Sequence, residues 1–274
     1  MGELFARMRR SPQGLLGMIL VATMLVIAIT GPWIAPYDPE TFAPLLRYKP
    51  PTFEHWMGTD QYGRDILSRL LVGARSTVLM AMLASALGTL AGALIGTTSA
   101  YLGGRADEAI MRTIDAVMSI PSLLMALLIV TLLGKSSVNA LFAIGIAFTP
   151  GMARVTRSVA LAVRKQDYVS AAIARGESAR YIVWREMLPN VVAPIIVEMT
   201  IRVAFAVMLF ATLSFLGLGA QPPKPEWGLM VSESRKYMGQ SPWMILWPSL
   251  SIATVAIGFN LLGDGLRDAL NPRT

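Results

Sequence analysis

The sequence predicts an all-α membrane protein with six transmembrane helices, and three observations lead there. Of its 274 residues, 54% are hydrophobic and 15% are charged, whereas a soluble domain carries about 25% charged residues. Mean hydropathy is +0.54. Apolar stretches recur that can cross a hydrocarbon core of about 30 Å, which takes roughly 20 helical residues. The charges collect between those stretches, as they do in the loops of multi-pass proteins.

The same composition excludes several kinds of chemistry. The chain has no cysteine, so disulfides, thiolate metal sites and cysteine nucleophiles are impossible. A single histidine, His55, is too few for a His-rich zinc site or a proton relay. The net charge of +7 comes with arginines that flank apolar stretches, which points to membrane topology and away from nucleic acid. Gly134-Lys135-Ser136 has the ending of a phosphate-binding loop, but Ile129 holds the place of its leading glycine, so it reads as a turn. No complete Walker motif, HExxH or GxSxG occurs, and Gly263-Asp264-Gly265 has no second membrane aspartate beside it. An enzyme has little to stand on here.

Taken in order, residues 1–14 form a cytoplasmic N-terminus carrying Arg7, Arg9 and Arg10. Residues 15–35 form a first span; no small-x-small pattern closes it, so it is retained and not cleaved as a signal peptide. Residues 36–76 form an outer loop rich in proline and aromatic residues. The loop ends in an amphipathic helix expected on the outer membrane surface, capped by Asp60. Ile66, Leu67, Leu70 and Leu71 make its apolar stripe, with Arg64, Asp65, Arg69 and Arg75 towards the polar side.

Residues 77–274 form a five-helix core. Its first span, 77–101, places Ala84, Gly88, Gly92, Gly96 and Ala100 at every fourth residue. Such a stripe of small residues lets another helix approach closely, either inside one bundle or in a second subunit. A short loop with Arg105 and Arg112 leads to a span at 117–133, with Pro121 in its first turns. The next span starts near Val138 and continues past Thr149-Pro150-Gly151 into the region of Arg154 and Arg157. In the span at 197–218, Glu198 and Arg202 fall four apart on one face and could form a transport-site pair, though their place near the inner end favours a plain interfacial ion pair. A last span covers 244–262. Arg154, Arg157, Arg164, Lys165, Arg175, Arg180 and Arg185 lie between spans four and five, against Lys135 alone between spans three and four. The positive-inside rule therefore puts the longer segment and both termini in the cytoplasm.

Within that segment, residues 167–190 read as two short helices meeting at Gly176. Tyr168, Ala171 and Ala172 make an apolar face on the first, and Gly176 suits a left-handed C-terminal cap. Glu177 and Ser178 suit the start of the second. Ala179, Ile182, Val183 and Met187 share one of its faces, and Pro189 is expected to stop it. By itself such a helix pair could also rest, by its basic face, on acidic headgroups.

The spacing of Ala171-Ala172, Gly176, Glu186 and Leu188-Pro189 resembles the EAA loop of ABC-importer permeases, with Ser170 where the general motif has Glu. Two further strings resemble the dipeptide, oligopeptide and nickel branch of that family. One is Gly58-Thr59-Asp60, Gly63-Arg64-Asp65, Ser68-Arg69 and Gly73-Ala74-Arg75; the other is FLGLGAQPPKPEWG at 215–228. The resemblance implies a type I importer permease whose cytoplasmic helices, spanning 164–190, dock into an ATPase cleft that small Ala171 and Ala172 can enter. It implies membrane lipid as surroundings and a heterodimer with a second homologous permease. Two ATP-binding subunits, an extracytoplasmic substrate-binding protein and a bacterial or archaeal inner membrane complete the assembly. No cofactor is then expected on this chain, and ATP with Mg²⁺ belongs to the partners. The competing expectation, a stand-alone secondary transporter or channel, would need ionisable residues near the bilayer midplane or paired broken helices.

Overall fold

Hydroxyl caps and glycines, together with prolines, set where the helices begin and turn. The computed structural model describes Met8 and residues 11–270; Arg7, Arg9, Arg10 and the last four residues of the tail lie outside the described residues. Helix α1, Pro12–Ile34, starts where Ser11 Oγ accepts from the Gly14 N–H at 3.3 Å, with proline in its first turn. A non-helical arm follows, broken by one 3₁₀ turn at Pro44–Leu46.

Helix α2, Ile66–Ala74, then runs through a π turn at Arg75–Leu79 into α3, Met80–Leu102. Together they make one 37-residue helix. The expected surface helix is therefore the first part of a span, and a boundary at residue 76 falls inside a continuous helix. Nothing in 66–102 breaks a helix: proline is missing, and the local strain goes into one widened turn. Ile66, Leu70, Ala74, Val78 and Ala81 all face the apolar core.

Gly103 and Gly104, at φ +65° and +53°, reverse the chain into α4, Gly104–Met118. The expected short loop with Arg105 and Arg112 is thus helical. Asp107 holds it in place, accepting from Arg157 Nε at 2.6 Å and from Ser99 Oγ at 2.5 Å. At Pro121 the chain bends by 84° into α5, Ser122–Leu133. Proline lacks the N–H that a continuing helix needs and pushes the preceding residue out of helical geometry. The 12 residues of α5 reach only about 18 Å, short of the hydrocarbon core. Among the described residues five helices are long and apolar enough to span, and six spans result if the bent pair α4–α5 counts as one.

Helix α6, Ser137–Arg164, is capped by Ser136 and passes straight through Pro150. After α7, Asp167–Ala174, and the short α8, Ala179–Tyr181, a second π turn at Ile182–Met187 leads into α9, Leu188–Phe215. Pro189 does not end the helix. It sits in the first turn of α9 directly behind the widened turn, where its missing N–H breaks nothing. Ala179–Phe215 is the second 37-residue helix. Helices α10, Trp227–Ser234, and α11, Trp243–Leu270, complete the chain. No strand occurs among the described residues.

The longest packed pair is α3 against α6; α1 lies along α11, and α9 against α3, α6 and α11. The stripe of small residues on α3 is used inside this chain. A Cβ on Gly88 would stand 2.7 Å from Gly145 O, on Gly92 2.4 Å from Met152 Cβ, and on Gly96 2.4 Å from Ala153 O. All three neighbours belong to α6, so of the two packing readings the intramolecular one holds. In lipid, where apolar surface alone draws no helices together, this close contact supplies the attraction.

Candidate functional site

At one end of the bundle, residues 164–190 fold as a small packed protrusion. Gly176 N–H donates to Ile173 O at 3.0 Å and Glu177 N–H to Ala172 O at 3.2 Å, the double bond pattern of a Schellman cap. Gly176 has φ +74°, and a Cβ there would meet nothing within 4 Å. Glycine is needed at this position for its backbone angle and not for space. Ser178 Oγ then caps α8 by accepting from Tyr181 N–H at 3.3 Å. Arg175 places its guanidinium 3.7 Å from both Glu177 and Glu186, so Glu186 ties the second arm of the protrusion to the first. Leu188 and Pro189 form the root of α9.

Ala171 and Ala172 differ in role. Ala171 is exposed, whereas Ala172 is buried with Val169, Ile182 and Met187 against Met152 and Val191. Ala172 is small because it packs within this chain, which corrects its expected place in an external cleft. The exposed apolar side chains on the protrusion are Tyr168, Ile173, Tyr181 and Trp184. Ile173 and Trp184 carry no motif and are missed from sequence.

At the other end of the long helices, the 58–69 string folds into a buried charge cluster. Asp60 Oδ1 accepts from the Tyr62 N–H at 2.8 Å and the Arg64 N–H at 3.0 Å, and its Oδ2 accepts from Arg64 Nε at 2.6 Å. Arg64 also donates to Glu233 on α10 at 3.2 Å. Arg69 lies 3.6 Å from both Asp60 and Glu233 and donates to Pro39 O at 3.0 Å and Pro223 O at 3.3 Å. Asp65, and not Asp60, caps α2 through Ser68 N–H at 2.7 Å, and its other oxygen meets His55 Nδ1 at 2.9 Å. Thr59 joins the arm to itself, accepting from Lys49 N–H at 3.0 Å and donating to Leu46 O. Gly58 and Gly63 both turn at φ +77°.

Arg64 and Arg69 are only 2% and 1% exposed, so their expected place on the polar side of a surface helix is overturned. Arg75 alone of that set is exposed. Charges tolerate burial when paired and hydrogen-bonded, and here Asp60 and Glu233, with the Pro39 and Pro223 carbonyls, do the pairing. The cluster pins the 35–65 arm to α2 and α10.

Glu226 completes this end. It is fully buried and accepts from Thr77 Oγ1 at 3.1 Å, Gly228 N–H at 2.9 Å and Leu229 N–H at 3.0 Å. Trp227 Nε1 donates to Leu70 O at 3.0 Å. Burial pushes the Glu226 carboxyl above its ordinary value, partly offset by these donors. Glu226, Glu233 and Thr77 are further residues that the sequence reading leaves out.

Arg202 lies thirteen residues, about 20 Å at 1.5 Å per residue, before the end of α9 at Phe215. That is near the middle of α9, Leu188–Phe215. Its Nη2 is 3.1 Å from Glu198 Oε1, and the guanidinium lies 5.7 Å from the centre of the Phe148 ring.

The family described as binding-protein-dependent transport system inner membrane component matches residues 64–274, which is most of the chain. The chain belongs to this family. Residues 1–51 match the N-terminal transmembrane domain of oligopeptide transport permease C. The permease is 40% identical to a protein of Escherichia coli (strain K12) named "Probable D,D-dipeptide transport system permease protein", over 97% of this chain and 89% of that one. It is 39% identical to a dipeptide transport system permease protein of Alkalihalophilus pseudofirmus, over 99% and 89% of the two chains. Its identity to a glutathione transport system permease protein of Escherichia coli O6:K15:H31 is 39%, over 99% and 90%.

The permease is therefore a multi-pass membrane subunit of an ABC importer. It works with other transport subunits, and hydrolysis of ATP in such importers belongs to partner ATPases. The stand-alone transporter reading is not the one these relatives support.

Proposed function

We propose that this permease carries di- or oligopeptides, or a peptide-like solute such as glutathione, across the cytoplasmic membrane of a bacterium or archaeon. It would pair with a second homologous permease, receive solute from an extracytoplasmic binding protein, and be driven by two ATP-binding subunits. ATP and Mg²⁺ stay with those subunits, and this chain holds no cofactor. The 164–190 protrusion faces the cytoplasm with both termini, as its five basic residues, with Arg154 and Arg157 just before it, favour. The buried charge cluster at 58–69 faces outward, where it holds the arm in place for the gate or for the binding protein.

The observation that carries the reading is the protrusion itself. Its Schellman cap and its own small core make it rigid, and its second arm is continuous with the 37-residue helix Ala179–Phe215. A rigid protrusion rooted in a span can pass the closing motion of an ATPase into the membrane, because a ligand shifts a conformation only through contacts that differ between states. Exposed Ile173 and Trp184 offer it an apolar docking face.

Reconstitution of the full set of subunits in proteoliposomes tests this. Uptake of labelled dipeptide, tripeptide and glutathione should require ATP, the binding protein and both permeases, and this chain alone should transport none. Uptake by this chain alone would overturn the proposal.

A further inference from the structure

Resting on the peptide reading above, we infer that the cavity at the α4–α5 bend is a solute site inside the membrane, with Arg202 binding the carboxylate of a short peptide. The cavity has a volume of about 420 Å³ and is lined by Met118, Pro121 and Met125 from the bent pair, Phe148 from α6, and Arg202 and Phe205 from α9. Binding pockets for small molecules fall in the range of about 300–1,000 Å³, so a dipeptide is of suitable size.

Depth supports the placement. Phe148 lies eleven residues, about 17 Å, from the start of α6 at Ser137, and Arg202 lies about 20 Å from the end of α9. The two ends belong to the same side of the bundle, since α6 and α9 are joined through the protrusion at the opposite side. The cavity thus sits near the middle of both long helices, the part expected to lie within the membrane. An ionisable side chain at that depth is costly and marks a pathway by default.

Arg202 is set up to receive an anion. Among the described residues its one carboxylate partner is Glu198, and its Nε is buried without a hydrogen-bond partner. A guanidinium presents five donors in a planar fork matched to a carboxylate, so most of its capacity is unspent. Gly151 makes room for it: a Cβ there would stand 3.1 Å from Arg202 Nη2. The other walls are mostly apolar, with Met118, Met125, Phe148 and Phe205 the largest side chains among them. Flexible thioethers and aromatic faces adapt to side chains of many shapes, which suits a carrier that grips the backbone terminus and tolerates variation elsewhere.

The test uses the complete importer in proteoliposomes, with loaded binding protein at saturation and ATP inside. Uptake of Ala-Phe is compared with uptake of Ala-Phe amide, for the wild type, Arg202→Gln and Arg202→Lys. Loss of a charge-assisted bidentate contact should lower free-acid uptake by about tenfold or more in Arg202→Gln. Amide uptake should hardly change, and Arg202→Lys should recover part of the loss. Should Arg202→Gln fail to assemble, Met125→Trp reads the same cavity by filling it, and should slow Phe-Phe more than Ala-Ala. An unchanged ratio of acid to amide in Arg202→Gln, an equal fall of both in an assembled complex, or no effect of Met125→Trp overturns the inference. Absence of any peptide uptake by the wild type overturns the peptide reading and this site together.

Discussion

The Thr77 hydroxyl donates to the buried Glu226 carboxylate at 3.1 Å, joining residues 149 apart in sequence. Thr77 lies in the π turn that connects α2 to α3, and Glu226 caps α10. Thr77 also accepts from Trp227 N–H at 3.2 Å, so the widened turn is fixed from both sides. The helix that was expected to end near residue 76 is held continuous by a contact from the far end of the chain.

Burial of Glu226 makes stability depend on pH. Burial raises the Glu226 pKa above its ordinary value of 4.5, so the folded protein holds this proton more tightly than the unfolded chain does. The contribution is fully present below the unfolded value and is lost as pH rises through the folded one. Glu226→Gln keeps an acceptor for the cap and removes the titration. Thermal unfolding of the purified complex across that range should show wild-type stability falling with rising pH and a flatter profile in the variant. Equal slopes would show that Glu226 titrates normally.

The Arg64 guanidinium joins Asp60 on the arm, also buried, to Glu233 on α10, which is partly buried. Removing one member of a buried ion pair costs about 3–5 kcal/mol because the other is left uncompensated. Arg64→Ala should therefore lower the yield of folded permease as well as transport. Arg64→Lys should rescue it poorly, since an ammonium cannot reproduce contacts made from two separate guanidinium nitrogens. Detergent-solubilised yield and thermal stability, measured beside uptake, would check this; normal stability with impaired uptake would instead point to gating.

How far these features are legible in the sequence depends on how local their causes are. Gly176 and Ser178 can be read directly, because caps are set by residues within one turn. The stripe Gly88, Gly92 and Gly96 announces a close contact, yet its partner α6 lies about 60 residues further on and nothing in the stripe names it. Arg64 and Arg69 look like a solvated face because Glu233, 169 residues from Arg64, is invisible locally. Prolines are read unevenly: the continuation of α6 past Pro150 is expected, but the outcomes at Pro189 and Pro121 are not. Pro189 lies harmlessly in a first turn and Pro150 inside a continuous helix, while Pro121 bends the chain by 84°. The outcome follows from where the missing N–H falls and from what packs around it.

The protrusion offers the sharpest test of coupling, provided docking is separated from folding. Ala172→Glu would place a carboxylate in the small core with Ile182 and Met187, so it would disrupt the protrusion itself. Trp184 is 56% exposed and Ile173 49% exposed, and neither supports that core. Trp184→Ser and Ile173→Ser should leave the permease folded and inserted while weakening co-purification with the ATP-binding subunits. Gly176→Val acts differently: a β-branched residue at φ +74° costs about 1–2 kcal/mol in backbone strain although its side chain has open space. It should preserve the six spans and shift the angle between the arms. Weakened ATPase binding and loss of substrate-stimulated hydrolysis in nanodiscs are expected for all three variants. Gly176→Ala should be milder than Gly176→Val, because strain and not bulk is the cause. If all three bind the ATPase and stimulate hydrolysis as the wild type does, residues 164–190 are not the coupling element.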